Sequence, residues 1–164
     1  MTLNPVNIAN FFFRLNGCAT IPNFAIHANQ PGESQQTDVD VLAIRFPHHQ
    51  ELLAYRELIK DHNMFEESGL IDIILAEVNY SITSLKGPWE NAHDQNLHRL
   101  LQAIGTFPYV YLPAVAGELI DYGQFNDDHY RVRLVTIDDK HNEWMLPGST
   151  SLFWNEDVLA FIYD

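Results

Sequence analysis

Apolar positions along this chain follow two spacings, one helical and one alternating, and the changes between them mark out the elements. Residues 5–15 carry Ile8, Phe11, Phe12 and Leu15 at helical spacing, and Gly17 follows where a helix would stop. Residues 20–27 are short and rich in strand formers, with Ile21, Phe24 and Ile26. Pro31-Gly32 is the turn signal of a polar loop over 28–37. Residues 38–46 (Asp-Val-Asp-Val-Leu-Ala-Ile-Arg-Phe) form a near-continuous apolar run, which predicts a strand covered on both faces and ended by Pro47. A helix is predicted over 50–60 and a polar connection over 62–69. Residues 70–80 (Leu-Ile-Asp-Ile-Ile-Leu-Ala-Glu-Val-Asn-Tyr) give the strongest central-strand pattern in the chain.

After that strand the loop 81–91, with Gly87-Pro88-Trp89, leads to a helix over 93–104 whose apolar face is Leu97, Leu100, Leu101 and Ile104. A second helix is predicted over 109–122, its start blurred by Pro113. Residues 130–137 alternate as a strand does, a short strand follows at 151–153, and a helix runs from Asn155. No internal repeat or low-complexity linker divides the sequence. The order of elements predicts an α/β fold, one domain over residues 1–164, with a central mixed sheet flanked by helices.

Composition agrees with that picture. The chain has 164 residues, 46% of them apolar and 12% aromatic, which is enough to bury a core without disulfides or a structural metal. A lone Cys18 excludes a disulfide framework and a cysteine-based zinc site. No apolar run approaches the roughly 20 residues of a membrane span, and the start lacks the basic and apolar regions of a secretory signal. The expectation is a cytoplasmic protein with no membrane partner. The last residues fall within a predicted helix, so a longer polypeptide or a second subunit is a candidate to complete it.

Charge bears on partners. There are 22 acidic against 9 basic side chains, a formal net charge of −13. The cations are scattered singly apart from the Arg131/Arg133 pair, so there is no basic stripe of the kind that neutralises phosphates. A nucleic-acid substrate is therefore not expected to be held by a basic surface. It remains compatible with divalent cations, which invert the field of an acidic cleft.

Two carboxylates interrupt apolar strands, Asp40 near the start of one and Glu77 near the end of another. An ionised carboxylate there costs several kcal/mol unless it is paired or binds a cation. Strand alternation puts Glu77 and Asn79 on one face and Val78 on the other. If the two strands are neighbours, Asp40 and Glu77 converge on one cation, and Mg²⁺ suits two hard oxygen donors with water filling the rest. The structural alternative is that Asp40 caps a strand and Glu77 pairs with an arginine such as Arg99.

These residues, in this order, resemble the PD-(D/E)XK, or restriction-endonuclease-like, nuclease superfamily. The resemblance runs from the first helix through Thr37-Asp38-Val39-Asp40, Arg45-Phe46-Pro47, the triplet Glu77-Val78-Asn79, the Gly87-Pro88-Trp89 loop and the helix that ends at Gly105. It implies a core of helix, short sheet and helix, with metal ligands on two successive strands. Asp40 matches the strand aspartate and Glu77 the acidic residue of the triplet, while the carbonyl of Val78 would be a further ligand of Mg²⁺ or Mn²⁺. Asn79 stands where the family has a lysine that orients the attacking water and stabilises phosphate charge. Three outcomes of that departure stay open. A cation arrives from elsewhere (Lys86, His98 or Arg99), an asparagine-based site operates, or catalysis is lost.

The resemblance therefore implies a nuclease domain that hydrolyses phosphodiester bonds in nucleic acid, DNA rather than RNA by family analogy alone. Its catalytic candidates are Asp40, Glu77, Asn79 and Lys86. The competing class is an inactive nuclease-like domain that binds a protein partner or a second copy of itself, favoured by Asn79 and the charge of −13. Other features read as structure: His48-His49 as a solvated turn, Asp127-Asp128-His129 as an acidic turn, Glu66-Glu67-Ser68-Gly69 as an exposed loop, and Cys18 as a core or surface thiol. The tryptophans are not interleaved with basic residues, and Gly87-Pro88-Trp89 lacks the glycine spacing of a phosphate loop.

Overall fold

The first helix, α1 (Pro5–Leu15), starts at Asn4, whose side chain accepts the Val6 N–H at 3.0 Å. Pro5 sits in the first turn, where its missing N–H costs nothing. In this computed structural model, which describes residues 4–26, 37–51, 58–65, 69–79, 95–139 and 149–163, α1 buries Ala9, Phe12 and Phe13. That face is rotated from the expected one, since Phe11 is 48% exposed. Three consecutive phenylalanines offer more than one apolar stripe, and packing selects between them.

Six strands form one mixed sheet: β1 (Cys18–Ile26), β2 (Thr37–Arg45), β3 (Ile71–Val78), β4 (Gln124–Asn126), β5 (Tyr130–Asp138) and β6 (Thr150–Phe153). The path across the sheet is β1-β2-β3-β5-β4, with β6 also on β5. Strands β1, β2 and β3 make an antiparallel meander, whereas β3 pairs β5 in parallel and β6 pairs β5 in parallel. A parallel pair needs a long crossover, and here α2 (Asn96–Ile104) and α3 (Leu112–Tyr122) lie between β3 and β5 in the chain. Helix α2 ends where Gly105 takes φ 77° and donates its N–H to Leu101 O at 3.1 Å, a left-handed cap that only glycine makes without cost.

Each face of the sheet carries its own core. Ile73, Leu75, Val132 and Leu134 pack under Leu97, Leu100 and Leu101 of α2 and Leu112, Val115 and Leu119 of α3. On the other face Val41, Ala43, Ile74, Ala76, Val135 and Ile137 pack against Ala9, Phe12 and Phe13 of α1 and against Phe65, Trp154 and Val158. Each fully buried leucine or phenylalanine contributes about 1.5–3 kcal/mol. Burial on both faces is why β2 and β3 read as near-continuous apolar runs.

Some expected boundaries differ. The expected helix over 50–60 is not found at either end, since residues 50–51 and 58–60 are not helical and the Ile59 N–H reaches Glu51 O at 3.0 Å; positions 52–57 lie outside the described residues. The connection at 62–69 contains a one-turn 3₁₀ helix, Asn63–Phe65, with Phe65 buried. The segment 109–122 divides into a 3₁₀ turn (Tyr109–Tyr111) and α3, with Pro113 in the first turn of α3. The C-terminal segment opens as a π-helical turn, Trp154–Leu159, before α4 (Ala160–Tyr163). Strand β4 was not expected. Among the described residues no helix is long and apolar enough to cross a membrane.

Candidate functional site

Of the expected site residues, Asp40, Glu77, Val78 and Asn79 fall at the end of the sheet where β3 finishes. β2 and β3 are antiparallel neighbours, and their ladder closes with Val41 opposite Ala76. One step further, Asp40 and Glu77 occupy the next facing positions. There the Asp40 Oδ2 accepts the Val78 N–H at 2.7 Å, so a side chain takes over from the backbone ladder. A carboxylate accepting an N–H at that distance is a charge-assisted bond, roughly twice as strong as a neutral one.

A fault in the pleat makes that reach possible. Cys18, Val41 and Ala43 belong to the α1-side core, whereas Phe24, Ile26 and Val39 pack in the core under α2 and α3. Alternation therefore breaks in both strands between these groups. The β1–β2 pairing passes from Pro22 opposite Val41 to Phe24 opposite Val39, and Asn23 between them has φ 51°. Asp40 faces Asn23 at the break, and its carboxylate is directed along the sheet toward β3.

The triplet itself is held from both sides. Val78 packs in the α1-side core, so alternation directs Glu77 and Asn79 to the α2 face. Glu77 is 7% exposed and Asp40 and Asn79 are half-buried. The Asn79 N–H donates to Ile137 O on β5 at 2.9 Å. Across a planar trans peptide the preceding carbonyl points the opposite way. The Val78 carbonyl is thus aimed toward β2, the side from which Asp40 approaches. The donor set is one buried carboxylate, one half-buried carboxylate and one strand carbonyl, all hard oxygens. It fits Mg²⁺ or Mn²⁺, which usually retain several waters beside one or two carboxylates. No cluster of three or more His, Cys, Asp or Glu side chains occurs among the described residues, so a cage built from side chains alone is not what this site offers.

Sequence reasoning missed the continuation of this polar row. Glu77 faces Thr136 in the β3–β5 register, and Thr136 faces Ser151 in the β5–β6 register, with the two hydroxyls 3.3 Å apart. Thr136 is 5% exposed. Threonine is common in strands, so nothing in the sequence separated Thr136 from its apolar neighbours.

Lys86 and the Gly87-Pro88-Trp89 loop lie outside the described residues. Of the other cations considered, His98 and Arg99 are half-buried on α2, and the His98 ring packs edge-on to Tyr109 with centroids 5.6 Å apart. The Arg131/Arg133 pair is committed elsewhere: both guanidinium groups bind the carboxylate of Asp72, which is 3% exposed. Arg133 also donates to Met64 O at 3.0 Å, and Arg45 binds Asp61 and Asn16 O. Arg45 and Arg133 tie the 61–65 segment to the α1 face of the sheet and lie near the Phe65 ring. Burial lowers the Arg133 pKa, with Asp72 opposing. Burial, reinforced by Asp72, pushes the Cys18 thiol up to about 12, which makes it an inert core residue.

His48 is exposed, as a solvated turn requires, whereas His49 is half-buried, packs its ring on Gly17, and has an Nδ1 with no hydrogen-bond partner. Asp127 accepts the N–H groups of His129 and Tyr130 at 2.7 and 2.6 Å, which makes its segment a turn. Residues 66–68 of the acidic loop lie outside the described residues. No family model, curated protein or solved structure matches the chain.

Proposed function

We propose that this chain is a PD-(D/E)XK-type nuclease domain that hydrolyses phosphodiester bonds in nucleic acid, DNA by preference, with Mg²⁺ or Mn²⁺. The observation that carries the reading is the hydrogen bond from the Val78 N–H to Asp40 Oδ2, which brings the strand aspartate against the Glu77-Val78-Asn79 triplet. Support also comes from the order of helix, meander and helix around the two strands, which is the core the family resemblance implies. Asp40, Glu77 and the Val78 carbonyl would hold the ion. When bound, it supplies positive charge against the phosphate and lowers the pKa of a nearby water. Glu77, in its buried position, contributes the charge that makes binding strong. Asp40 fixes the triplet's backbone through Oδ2 and would join Glu77 in holding the ion. Asn79 orients water through its amide without adding charge. The reading places the protein in the cytoplasm.

A second reading is favoured by the asparagine at position 79 together with the net charge of −13. Here the domain keeps the fold, cuts nothing, and serves as a binding module for a protein or a second copy of itself.

One series of purified proteins separates the two. Wild type, Asp40→Asn, Glu77→Gln and Asn79→Lys are assayed on DNA and RNA with Mg²⁺ or Mn²⁺. For the nuclease, wild type cleaves and the first two variants do not. Asn79→Lys then gains about 10²–10³-fold if the site lacks only its cation, the scale of one transition-state electrostatic donor. Asn and Gln preserve an acceptor oxygen, so unfolding midpoints should change little. Equal cleavage by wild type, Asp40→Asn and Glu77→Gln points to a contaminant and removes the nuclease. Absence of cleavage by every member leaves the binding module.

A further inference from the structure

We infer that Trp154 is a positioning residue of this site, holding the end of the Glu77-Val78-Asn79 triplet through the main chain. The inference rests on the metal-site reading above. Trp154 opens the π-helical turn after β6 and is 4% exposed, and its indole N–H donates to Asn79 O at 3.2 Å. A buried indole needs an acceptor, but the choice of acceptor is informative. The last paired residue of β3 is Val78, opposite Ile137. Asn79 lies one residue beyond, where its N–H still reaches Ile137 O but its carbonyl has left the ladder. Trp154 takes that carbonyl. Both peptide groups flanking the Asn79 Cα are therefore pinned, one to β5 and the other to the indole.

Pinning both sides fixes φ and ψ of residue 79, and with them the direction of its Cβ and the plane of the preceding peptide. That plane carries the Val78 carbonyl toward Asp40. The turn that carries Trp154 is itself held, since the Phe153 N–H donates to Asp157 Oδ2 at 2.7 Å and Asp157 Oδ1 lies 3.5 Å from His62 Nε2. π-Helical turns are uncommon and concentrate at functional sites. Without the indole N–H, water that reaches the carbonyl of half-buried Asn79 does not hold its orientation. Loss of a residue that orients a ligand typically costs about 10–100-fold in metal affinity.

The test is Mn²⁺ titration by calorimetry on the full chain, beside urea unfolding, for wild type, Trp154→Phe and Val158→Ala. Phenylalanine keeps an aromatic ring in the pocket and removes the donor. Val158 is fully buried in the same core and has no place in the site, so its truncation measures loosened packing alone. The expected result is Mn²⁺ affinity about 10-fold weaker in Trp154→Phe and unchanged in Val158→Ala, whatever the unfolding midpoints. Wild-type affinity in Trp154→Phe overturns the inference while leaving the metal site standing. Equal weakening in both variants also overturns it, because packing then accounts for the effect. No Mn²⁺ binding by wild type removes the metal-site reading and the inference with it.

Discussion

His62 shows how burial sets a charge state against a favourable neighbour. Its Nδ1 accepts the Met64 N–H at 3.3 Å, its Nε2 faces Asp157 at 3.5 Å, and its ring lies edge-on to Phe12 and Phe161. Its own N–H donates to the Asn16 side chain at 2.7 Å. Burial lowers its pKa below 6.5, and Asp157 opposes that shift without reversing it. Protonation would also forfeit the bond from Met64. The unfolded chain then binds a proton that the folded chain refuses, so stability is present in full above pH 6.5 and declines as pH falls from there through the lower folded pKa. The unfolding temperature should drop between about pH 7.5 and about pH 5.5, and His62→Gln should show a smaller drop. Identical pH profiles for the two proteins would assign the acid sensitivity to other groups. None of this was legible in the sequence, where residues 62–69 read as a polar connection.

At the scale of elements, pattern located helices and strands well and their faces less well. Leu97, Leu100 and Leu101 of α2 are buried as their spacing requires. In α1 the buried set is Ala9, Phe12 and Phe13, because three adjacent phenylalanines leave the stripe ambiguous. The break in β1 and β2 is the larger omission. Pairing stays in register across it, yet the side chains exchange faces, and local alternation does not encode that exchange. Asn23 at φ 51° is the residue that permits it, asparagine being among the few non-glycine residues that tolerate this region. Asn23→Val should cost about 1–2 kcal/mol in urea unfolding, and Asn23→Gly should be close to neutral. If valine is accepted without loss, the break is not held in place by residue 23.

For the molecule as a whole, charge is distributed unequally between inside and outside. Of the 9 basic residues, Arg45, Arg131 and Arg133 are tied to Asp61 and Asp72, so the remainder face a large acidic excess. Self-repulsion of that kind destabilises the compact state and is screened by salt, with a Debye length near 10 Å at about 0.1 M. Raising NaCl from about 0.05 to about 0.5 M should therefore raise the unfolding temperature in a thermal-shift assay. A steady fall would mean that favourable ion pairs outweigh the repulsion. The same commitment of arginines removes the Arg131/Arg133 pair as a phosphate-binding surface.

Sequence by itself determined the class of fold, because covered strands and amphipathic helices must bury their apolar residues whatever their partners. It also singled out Asp40 and Glu77, since a carboxylate inside an apolar strand is costly without a partner or a cation. Tertiary structure decided the rest. Only the neighbouring pairing of β2 and β3 places Asp40 against the triplet, and only the break at Asn23 directs its carboxylate along the sheet. Only the docking of the C-terminal turn gives Asn79 its second anchor at Trp154. Each of these joins residues far apart in the chain, across strand pairs and packed layers, and periodicity carries information about neighbours in sequence alone.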